Sequence, residues 1–268
     1  METYEIVVVK YGTRSTTRSE VFLNYPLYGE PDAPITMDYF FWVVRNDSRA
    51  VIVDTGFSQL GGSARHRTML VDPVECFDAL GLAPADEPTV VVTHGHYDHI
   101  GNLQHFGRSP IVVARREVEF WAGPHARRAQ FHHSVEDGEL ADLHAAVGSG
   151  RAQLFDDRHV VADGLEVRRV GGHTPGQSVV TVRTDQGVVL LASDAVHYYE
   201  ELERELPFVS VASLVDMYDG FDFVNDLLDG GHVSDVVTGH DPTTLARFGA
   251  TPGPIPDLSV IIGPTVRG

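Results

Sequence analysis

The chain has 268 residues, 43% of them hydrophobic and 22% charged, which is enough for a sizeable core and is not the composition of a disordered protein. Its formal net charge of −18 repels phosphate backbones and argues against a nucleic-acid partner. No apolar run reaches the ~20 residues of a membrane span, so no membrane partner is expected, and the N-terminus lacks a signal-peptide pattern. The single cysteine fits a reducing compartment. We therefore expect one domain over residues 1–268 in the cytoplasm, while the sequence leaves open whether it forms a homo-oligomer.

Apolar segments along the chain predict buried strands, and some of them alternate with helical patterns. The predicted strands are residues 4–10, 39–45, 50–54, 89–93, 111–114, 166–170, 178–183, 188–192 and 235–238. The clearest helix has Asp72 as its N-cap, Pro73 in its first position and Gly81 at its end. Apolar residues three and four positions apart predict a second helix over 214–228, and a third begins near Arg115. Strands outnumber helices, which favours mixed or antiparallel sheets with helices outside them.

The stretch THGHYDHIGN, residues 93–102, places three histidines and one aspartate after an apolar, β-branched run. His94 and His96 are two positions apart, so they share one side of an extended backbone. Asp98 and His99 follow a further bend and can face a second ion. Imidazole and carboxylate ligands together suit zinc and related transition metals. This loop therefore predicts half of a metal site.

Three further candidates, His173, Asp194 and His240, each follow an apolar segment. Four strand ends that deliver His or Asp are the arrangement expected at one edge of a sheet. The favoured grouping gives one ion His94, His96 and His173, gives the other Asp98, His99 and His240, and lets Asp194 bridge both. A metal lowers the pKa of its water toward neutrality, which supplies a nucleophile without Ser or Cys. Cys76, inside the first predicted helix, is expected to be a small core residue.

The motifs HGHYDH, GGHTPGQS, ASDA and TGHD resemble those of the metallo-β-lactamase superfamily over roughly residues 38–242. The resemblance implies an α/β fold, an αββα sandwich of two mixed β-sheets flanked by helices, with metals at one edge. Within the superfamily the chain looks most similar to N-acyl homoserine lactonases, because the part after His240 is too short for a glyoxalase II-type C-terminal domain. The implied cofactors are two divalent metal ions, with zinc favoured and iron or manganese as alternatives.

In the lactonases a tyrosine commonly lies three residues after the bridging aspartate and contacts the substrate carbonyl. Here that position is His197, with Tyr198 beside it, and either residue is a candidate for the role. Asp98 is expected to pass a proton to the leaving oxygen while bound to metal. The sequence thus predicts a dinuclear metal-dependent hydrolase that opens a small lactone ring by attack of a metal-bridging hydroxide.

The aromatic-rich segment 24–42 and the partly helical excursion 123–150 are candidates for the substrate wall. They predict a small-molecule substrate with an apolar or aromatic portion. In the plainer interpretation, Tyr39 to Trp42 form a core strand and the excursion is a surface insertion. Competing functions are hydrolysis of a cyclic amide, ester or thioester on the same site, a mononuclear iron enzyme of the persulfide dioxygenase type, and a metal-dependent binding protein without catalysis.

Overall fold

The computed structural model describes residues 1–263. The strands within this range are β1 (Glu5–Thr17), β2 (Pro34–Asn46), β3 (Arg49–Val53), β4 (Thr68–Met69), β5 (Thr89–Val92), β6 (Ile111–Ala114), β7 (Ala152–Phe155), β8 (Arg158–Ala162), β9 (Leu165–Arg169), β10 (Ser178–Thr184), β11 (Gly187–Ser193), β12 (Asp235–Thr238) and β13 (Ser259–Ile262). The α-helices are α1 (Arg18–Val21), α2 (Gln59–Ala64), α3 (Pro73–Ala79), α4 (Tyr97–Ile100), α5 (Arg115–Ala122), α6 (Ala129–His132), α7 (Asp137–Gly148), α8 (Tyr199–Arg204), α9 (Leu214–Asp229) and α10 (Thr244–Arg247). None of the helices described within residues 1–263 is both long enough and apolar enough to cross a membrane.

Two mixed β-sheets form the centre of the fold, as the sequence predicts. The larger sheet has the strand order β13-β1-β2-β3-β5-β6-β7, with β4 paired to β1. Its β1, β2 and β3 are antiparallel, whereas β3, β5, β6 and β7 run parallel. The smaller sheet has the order β12-β11-β10-β9-β8, and only its β11–β12 pair is parallel within the described part of the chain.

Both faces of the larger sheet are covered, which explains why its strands read as continuous apolar runs. Successive side chains point to opposite faces of a strand. In β2, Tyr39 and Phe41 therefore pack with residues of α3, α5 and α7, while Phe40 and Trp42 pack against the smaller sheet. Phe221 and other residues of α9 cover the far side of the smaller sheet. These layers confirm the predicted αββα sandwich and place the 39–42 segment in a core strand.

All nine predicted strands occur in the structure, and α3, α5 and α9 lie at the predicted helix positions. The sequence analysis missed β4, β7, β8 and β13, which have two to five residues each and are partly exposed at several positions. Such short strands carry too little periodicity to be recognised before their long-range partners are known. The 123–150 excursion contains α6 and α7, and Cys76 is buried in α3 as expected.

The predicted N-cap of helix α3, Asp72, can be tested by mutation. The Oδ1 atom of Asp72 accepts a hydrogen bond of 2.8 Å from the Val74 N–H, and Pro73 occupies the first turn. We expect Asp72→Ala to lower the free energy of unfolding by about 1 kcal/mol in urea denaturation, because that donor loses its partner. The control Asp78→Ala, an exposed aspartate of the same helix, should change it by less than about 0.5 kcal/mol. Equal effects of the two substitutions would contradict the cap.

Candidate metal centre

The seven predicted ligands meet at one edge that the two sheets share. His94, His96, Asp98 and His99 follow β5 of the larger sheet, and His173, Asp194 and His240 follow β9, β11 and β12 of the smaller sheet. All seven are buried. Their ligand atoms form two groups, each with its atoms within 4.8 Å of one another: one contains His94, His96, His173 and Asp194, and the other contains Asp98, His99 and His240. The structure therefore brings together every residue of the predicted set.

Asp194 lies between the two groups. Its Oδ2 is 3.4 Å from His173 Nε2 and 3.8 Å from His94 Nε2. Its Oδ1 is 3.3 Å from His99 Nε2 and 3.1 Å from His240 Nε2. His240 Nε2 also lies 3.2 Å from Oδ2. The carboxylate of Asp194 therefore contacts histidines of both groups, which is the position that a bridging carboxylate requires.

Hydrogen bonds on the far side of the rings fix how two histidines face the centre. His173 Nδ1 donates to the Ser210 carbonyl and His240 Nδ1 donates to the Asp38 carbonyl, each at 2.7 Å. A proton on Nδ1 leaves Nε2 with its lone pair, and that nitrogen is the one directed at Asp194. Such outer partners orient metal-binding histidines and set their tautomer.

Asp54 performs the same task for His99, and the sequence analysis missed it. It follows β3 and has a positive φ of 61°. Its carboxylate accepts hydrogen bonds from the Thr93 N–H and hydroxyl at 2.9 and 2.7 Å, and its Oδ2 lies 2.8 Å from His99 Nδ1. Asp54 therefore ties the end of β3 to the histidine loop. The signal was present, since Asp54 ends the apolar run VIV just as Asp194 follows an apolar strand.

Glu117 on α5 is a second residue that the sequence analysis missed. Its fully buried carboxylate accepts four hydrogen bonds: Oε1 from the Gly95 N–H and the Trp121 indole, both at 2.7 Å, and Oε2 from the Thr174 hydroxyl at 2.7 Å and the Gly176 N–H at 2.9 Å. Three of these donors, Gly95, Thr174 and Gly176, belong to the loops that carry His96 and His173, and Trp121 belongs to α5 itself. Glu117 thus joins the two loops. The sequence around it, RREVEF, does not reveal this role, because it has the pattern of an ordinary charged helix turn.

The electrostatics of the site favour neutral imidazoles at His94, His96 and His173 beside an ionised Asp194. Burial lowers the pKa of His94 and His96 well below the usual value, and neighbouring imidazoles lower it further. Burial also lowers the pKa of His173 to about 3. Burial acts to lower the pKa of His99 as well, but the carboxylates of Asp194, Asp54 and Asp98 raise it well above its usual value. Burial alone would raise the pKa of Asp194, but the surrounding histidines, led by His240, hold it well below its usual range. Neutral histidine and ionised aspartate are the forms that bind metals.

Buried polar atoms without hydrogen bonds show that these residues fit metal ions. Over residues 1–263, His94 Nε2, His99 Nε2 and Asp194 Oδ1 are buried and have no hydrogen-bond partner. His96 Nδ1 and His173 Nε2 are two ring nitrogens only 2.9 Å apart. Buried polar groups are rarely left unpaired, so this concentration requires an explanation. A set of imidazole nitrogens and carboxylate oxygens suits zinc and related divalent metals.

His197 lies beside this centre. Its Nε2 is 3.3 Å from Asp194 Oδ2, and its Nδ1 is 3.3 Å from the buried carboxylate of Glu201. Its ring stacks on Phe208 with a centroid distance of 3.8 Å. The imidazole is thus held from behind by a carboxylate and from one face by an aromatic ring, with its Nε2 directed at the site.

Tyr198 and Asp98 take different positions. The Tyr198 hydroxyl donates to the Thr36 carbonyl at 3.3 Å. Asp98 is buried, with Oδ1 3.9 Å from His99 Nε2 and Oδ2 3.8 Å from His240 Nε2. Of the three residues predicted to act on the substrate, His197 and Asp98 therefore lie at the centre, whereas the hydroxyl of Tyr198 is engaged by backbone.

A cavity of about 160 Å³ opens onto the metal centre. Tyr39 of the aromatic segment and His133 of the 123–150 excursion line it, together with Met37 and Phe208. Both segments singled out in the sequence therefore contribute to the pocket, even though Tyr39 belongs to a core strand. The pocket is large enough for a small molecule and has an apolar wall facing the histidines.

This combination of αββα sandwich and histidine-rich edge defines a class of metal-binding proteins, and comparison with known proteins identifies the family. The model of the metallo-beta-lactamase superfamily matches residues 38–255. The chain therefore belongs to the metallo-β-lactamase superfamily.

Several relatives carry the name N-acyl homoserine lactonase. One from Bacillus cereus is 24% identical over 202 residues, which are 68% of this chain and 74% of the relative. N-acyl homoserine lactonase AttM from Rhizobium radiobacter is 30% identical over 67% of each chain. A further one from Bacillus sp. is 29% identical, and its match spans only about half of the relative, 51% of its length.

Solved structures share the fold at low sequence identity. A quorum-quenching N-acyl homoserine lactone lactonase has a TM-score of 0.75 at 20% identity, with 90% of this chain and 94% of that chain covered. AidC, described as a dizinc quorum-quenching lactonase, has a TM-score of 0.70 at 16% identity, with 100% and 97% covered.

Because the Glu117 carboxylate joins the loops that carry His96 and His173, we predict that removal of its charge weakens metal binding by the protein. In Glu117→Gln one carboxylate oxygen becomes an amide donor that faces two other donors, so the loops carrying His96 and His173 lose a common anchor. We expect metal affinity to fall by about 10- to 100-fold and the free energy of unfolding by about 1–3 kcal/mol. Competition with a metal chelator and urea denaturation measure the two quantities.

Glu119→Gln is the matched control, because Glu119 lies two positions away on the same helix and is exposed. It should leave both quantities close to those of the unaltered protein. A Glu117→Gln protein that keeps its metal as tightly as Glu119→Gln would show that Glu117 does not position the ligand loops.

Proposed function

We propose that this protein is a dinuclear metal-dependent hydrolase that opens a small lactone ring. The observation that carries the proposal is the position of Asp194, whose carboxylate lies within 3.4 Å of His173 in one group and of His240 in the other. The names of the relatives, N-acyl homoserine lactonases, support a lactone as the substrate. The geometry of the edge alone is equally compatible with a cyclic amide, an ester or a thioester.

In this proposal His94, His96 and His173 hold one ion, and Asp98, His99 and His240 hold the other. Asp194 bridges them, and zinc is the ion that this donor set suits best. When bound, two such ions would supply Lewis acidity toward a carbonyl oxygen and would lower the pKa of water, which provides a hydroxide nucleophile. The chain contributes the remaining steps through Asp98, which lines the pocket, and His197, which is buried beside Asp194.

Asp98 and His197 are the side chains placed to assist the reaction. Asp98 lines the pocket and lies within 4 Å of both His99 and His240. Its carboxylate is placed to take the proton that the attacking water loses and to give it to the leaving alkoxide. His197 directs Nε2 toward Asp194, while Glu201 and Phe208 restrain its ring. We propose that His197 hydrogen-bonds the substrate oxygen, in the role that a tyrosine has in the lactonases.

Replacing Asp194 tests the dinuclear site. Asp194→Ala removes the only group that faces both sets of histidines within the described chain, so we expect metal content to fall from two ions per chain and lactone hydrolysis to fall at least ~1000-fold. Elemental analysis and a lactone hydrolysis assay measure the two effects together. The control Asp219→Ala changes an exposed aspartate of α9 and should retain both. Normal turnover by metal-depleted Asp194→Ala protein would refute the mechanism.

The same preparations decide between the proposed reaction and its competitors. A panel of lactones, esters, thioesters and cyclic amides should show highest kcat/KM with lactones. Turnover of amides or thioesters without lactones would change the substrate class while leaving the metal centre intact. One iron and no second ion per chain would instead favour the persulfide dioxygenase type of chemistry.

The positions of His197 and Tyr198 predict unequal effects on catalysis. His197→Gln removes a group directed at the centre and should lower kcat about 100-fold at full metal content. Tyr198→Phe removes only a hydroxyl that donates to the Thr36 carbonyl, so kcat should change less than about threefold. Steady-state kinetics with metal content measured on each preparation gives the comparison. The reverse order of effects would assign the role to Tyr198.

A further inference from the structure

Three arginines line the small pocket above the metal centre, although the chain as a whole is strongly acidic. Arg14, Arg65 and Arg67 border the same cavity as Asp98 and Asp194. The chain has 38 acidic and 20 basic residues, so solubility gives no reason to collect cationic side chains at this place. Their individual partners show which of them is available to a ligand.

Arg65 is fully engaged by the protein. Its Nη1 forms a 2.6 Å ion pair with Glu136, and its Nε and Nη2 donate to the His133 carbonyl at 3.0 and 2.7 Å. Its guanidinium also lies 4.1 Å from the ring centre of Tyr97. Arg65 therefore connects the 123–150 excursion to the loop that contains Tyr97, and Glu136 balances its charge.

Arg14 is partly balanced by Glu20, at 3.1 Å from its Nη2. Glu20 has a side chain that is 60% exposed, so this ion pair lies near the surface and is weak. Arg14 can strengthen the positive potential of the pocket, but the structure does not hold its guanidinium in a defined direction toward the metals.

Arg67 is held in place and has no acidic partner. Its Nε donates to the Tyr97 hydroxyl at 3.0 Å, and its Nη1 donates to the Arg65 carbonyl at 2.8 Å. Across residues 1–263 it forms no ion pair, and its Nη2 donates to no protein atom. Its planar guanidinium fork therefore has a free edge, and that fork matches the geometry of a carboxylate or phosphate.

Resting on the proposed function, we propose that the substrate carries an anionic oxygen group, a carboxylate or a phosphate, which Arg67 binds while the lactone ring faces the metals. The pocket supplies the rest of the recognition: Met37, Phe208 and Val209 form its apolar part. The substrate is then a small lactone with an apolar body and one anionic end. Arg67 is a specificity-determining residue for this substrate class.

Matched lactones test the inference. One lactone has a short side chain that ends in a carboxylate, a second ends in the isosteric carboxamide, and a third ends in a phosphate monoester. We expect one of the two anionic lactones to exceed the carboxamide by about tenfold or more in kcat/KM, since hydrogen bonds to charged groups contribute that much. Which of the two anions gains more identifies the group that Arg67 binds.

Arg67→Met should bring the ratio of anionic to neutral lactone to about one, and using this ratio cancels any general loss of activity. Arg67→Lys, which keeps the charge but loses the fork, should give an intermediate ratio. Arg116→Met, at an exposed arginine outside this pocket, should keep the ratio of the unaltered protein. A preference that is absent in the unaltered protein, or that survives Arg67→Met, would overturn the inference.

Binding of analogues that cannot be hydrolysed separates this inference from the proposed function. Cyclic ethers with the same three side chains are titrated into the metal-loaded protein by calorimetry. Tighter binding of an anionic ether that is lost in Arg67→Met supports the anion site even if no lactone is turned over. Equal binding of charged and neutral ethers, beside clear lactone turnover, would refute the anion site and leave the lactonase function standing.

Discussion

The contact of one buried carboxylate with five imidazole rings is the constraint on which the candidate site depends. Asp194 lies within 3.8 Å of His94, His99, His173, His197 and His240. An isolated buried charge would be strongly destabilising, so this aspartate depends on the surrounding imidazoles, which hold its pKa well below the usual range. Asp98 is shared by only two of these histidines within residues 1–263, His99 and His240. The two halves of the site are therefore linked electrostatically through one residue that belongs to neither half alone.

Positioning of the ligands depends on residues that never reach the pocket. Asp54 fixes the ring of His99 and the end of β5 at once, and Glu117 joins the two loops that carry His96 and His173. The packing around Glu117 is tight, because a Cβ on Gly176 would lie 2.3 Å from the Glu117 Cβ. Close approach of α5 to the sheet edge thus requires a glycine in the loop. The positions of the candidate ligands are a consequence of helix-on-sheet packing as much as of the histidine motif itself.

The sequence predicts the parts of this protein that local patterns encode. Strands buried on both faces appear as long apolar runs, and residues such as His94 and Asp194 stand out because they follow such runs directly. Glu117 has no comparable signal, since its charge looks ordinary until the loops that donate to it are placed beside α5. The short strands β7 and β8 were missed for the same reason: they are recognised by their pairing partners and not by their own periodicity. The roles of His197 and Tyr198, adjacent in the chain, become distinguishable only when the backbone directs one side chain to Asp194 and the other to Thr36.

Tyr97, which lies between two candidate ligands in the histidine motif, also contacts the arginines that line the pocket. Its neighbours in the chain, His96 and Asp98, belong to the metal groups, while its hydroxyl accepts a hydrogen bond from Arg67 and its ring stacks on Arg65. Any movement of the loop that shifts the candidate ligands would therefore also shift the cationic wall of the pocket. An anion bound by Arg67 would in turn restrain Tyr97 and the loop around it. In this arrangement Tyr97 would couple the proposed anion site to the candidate metal centre through direct contacts.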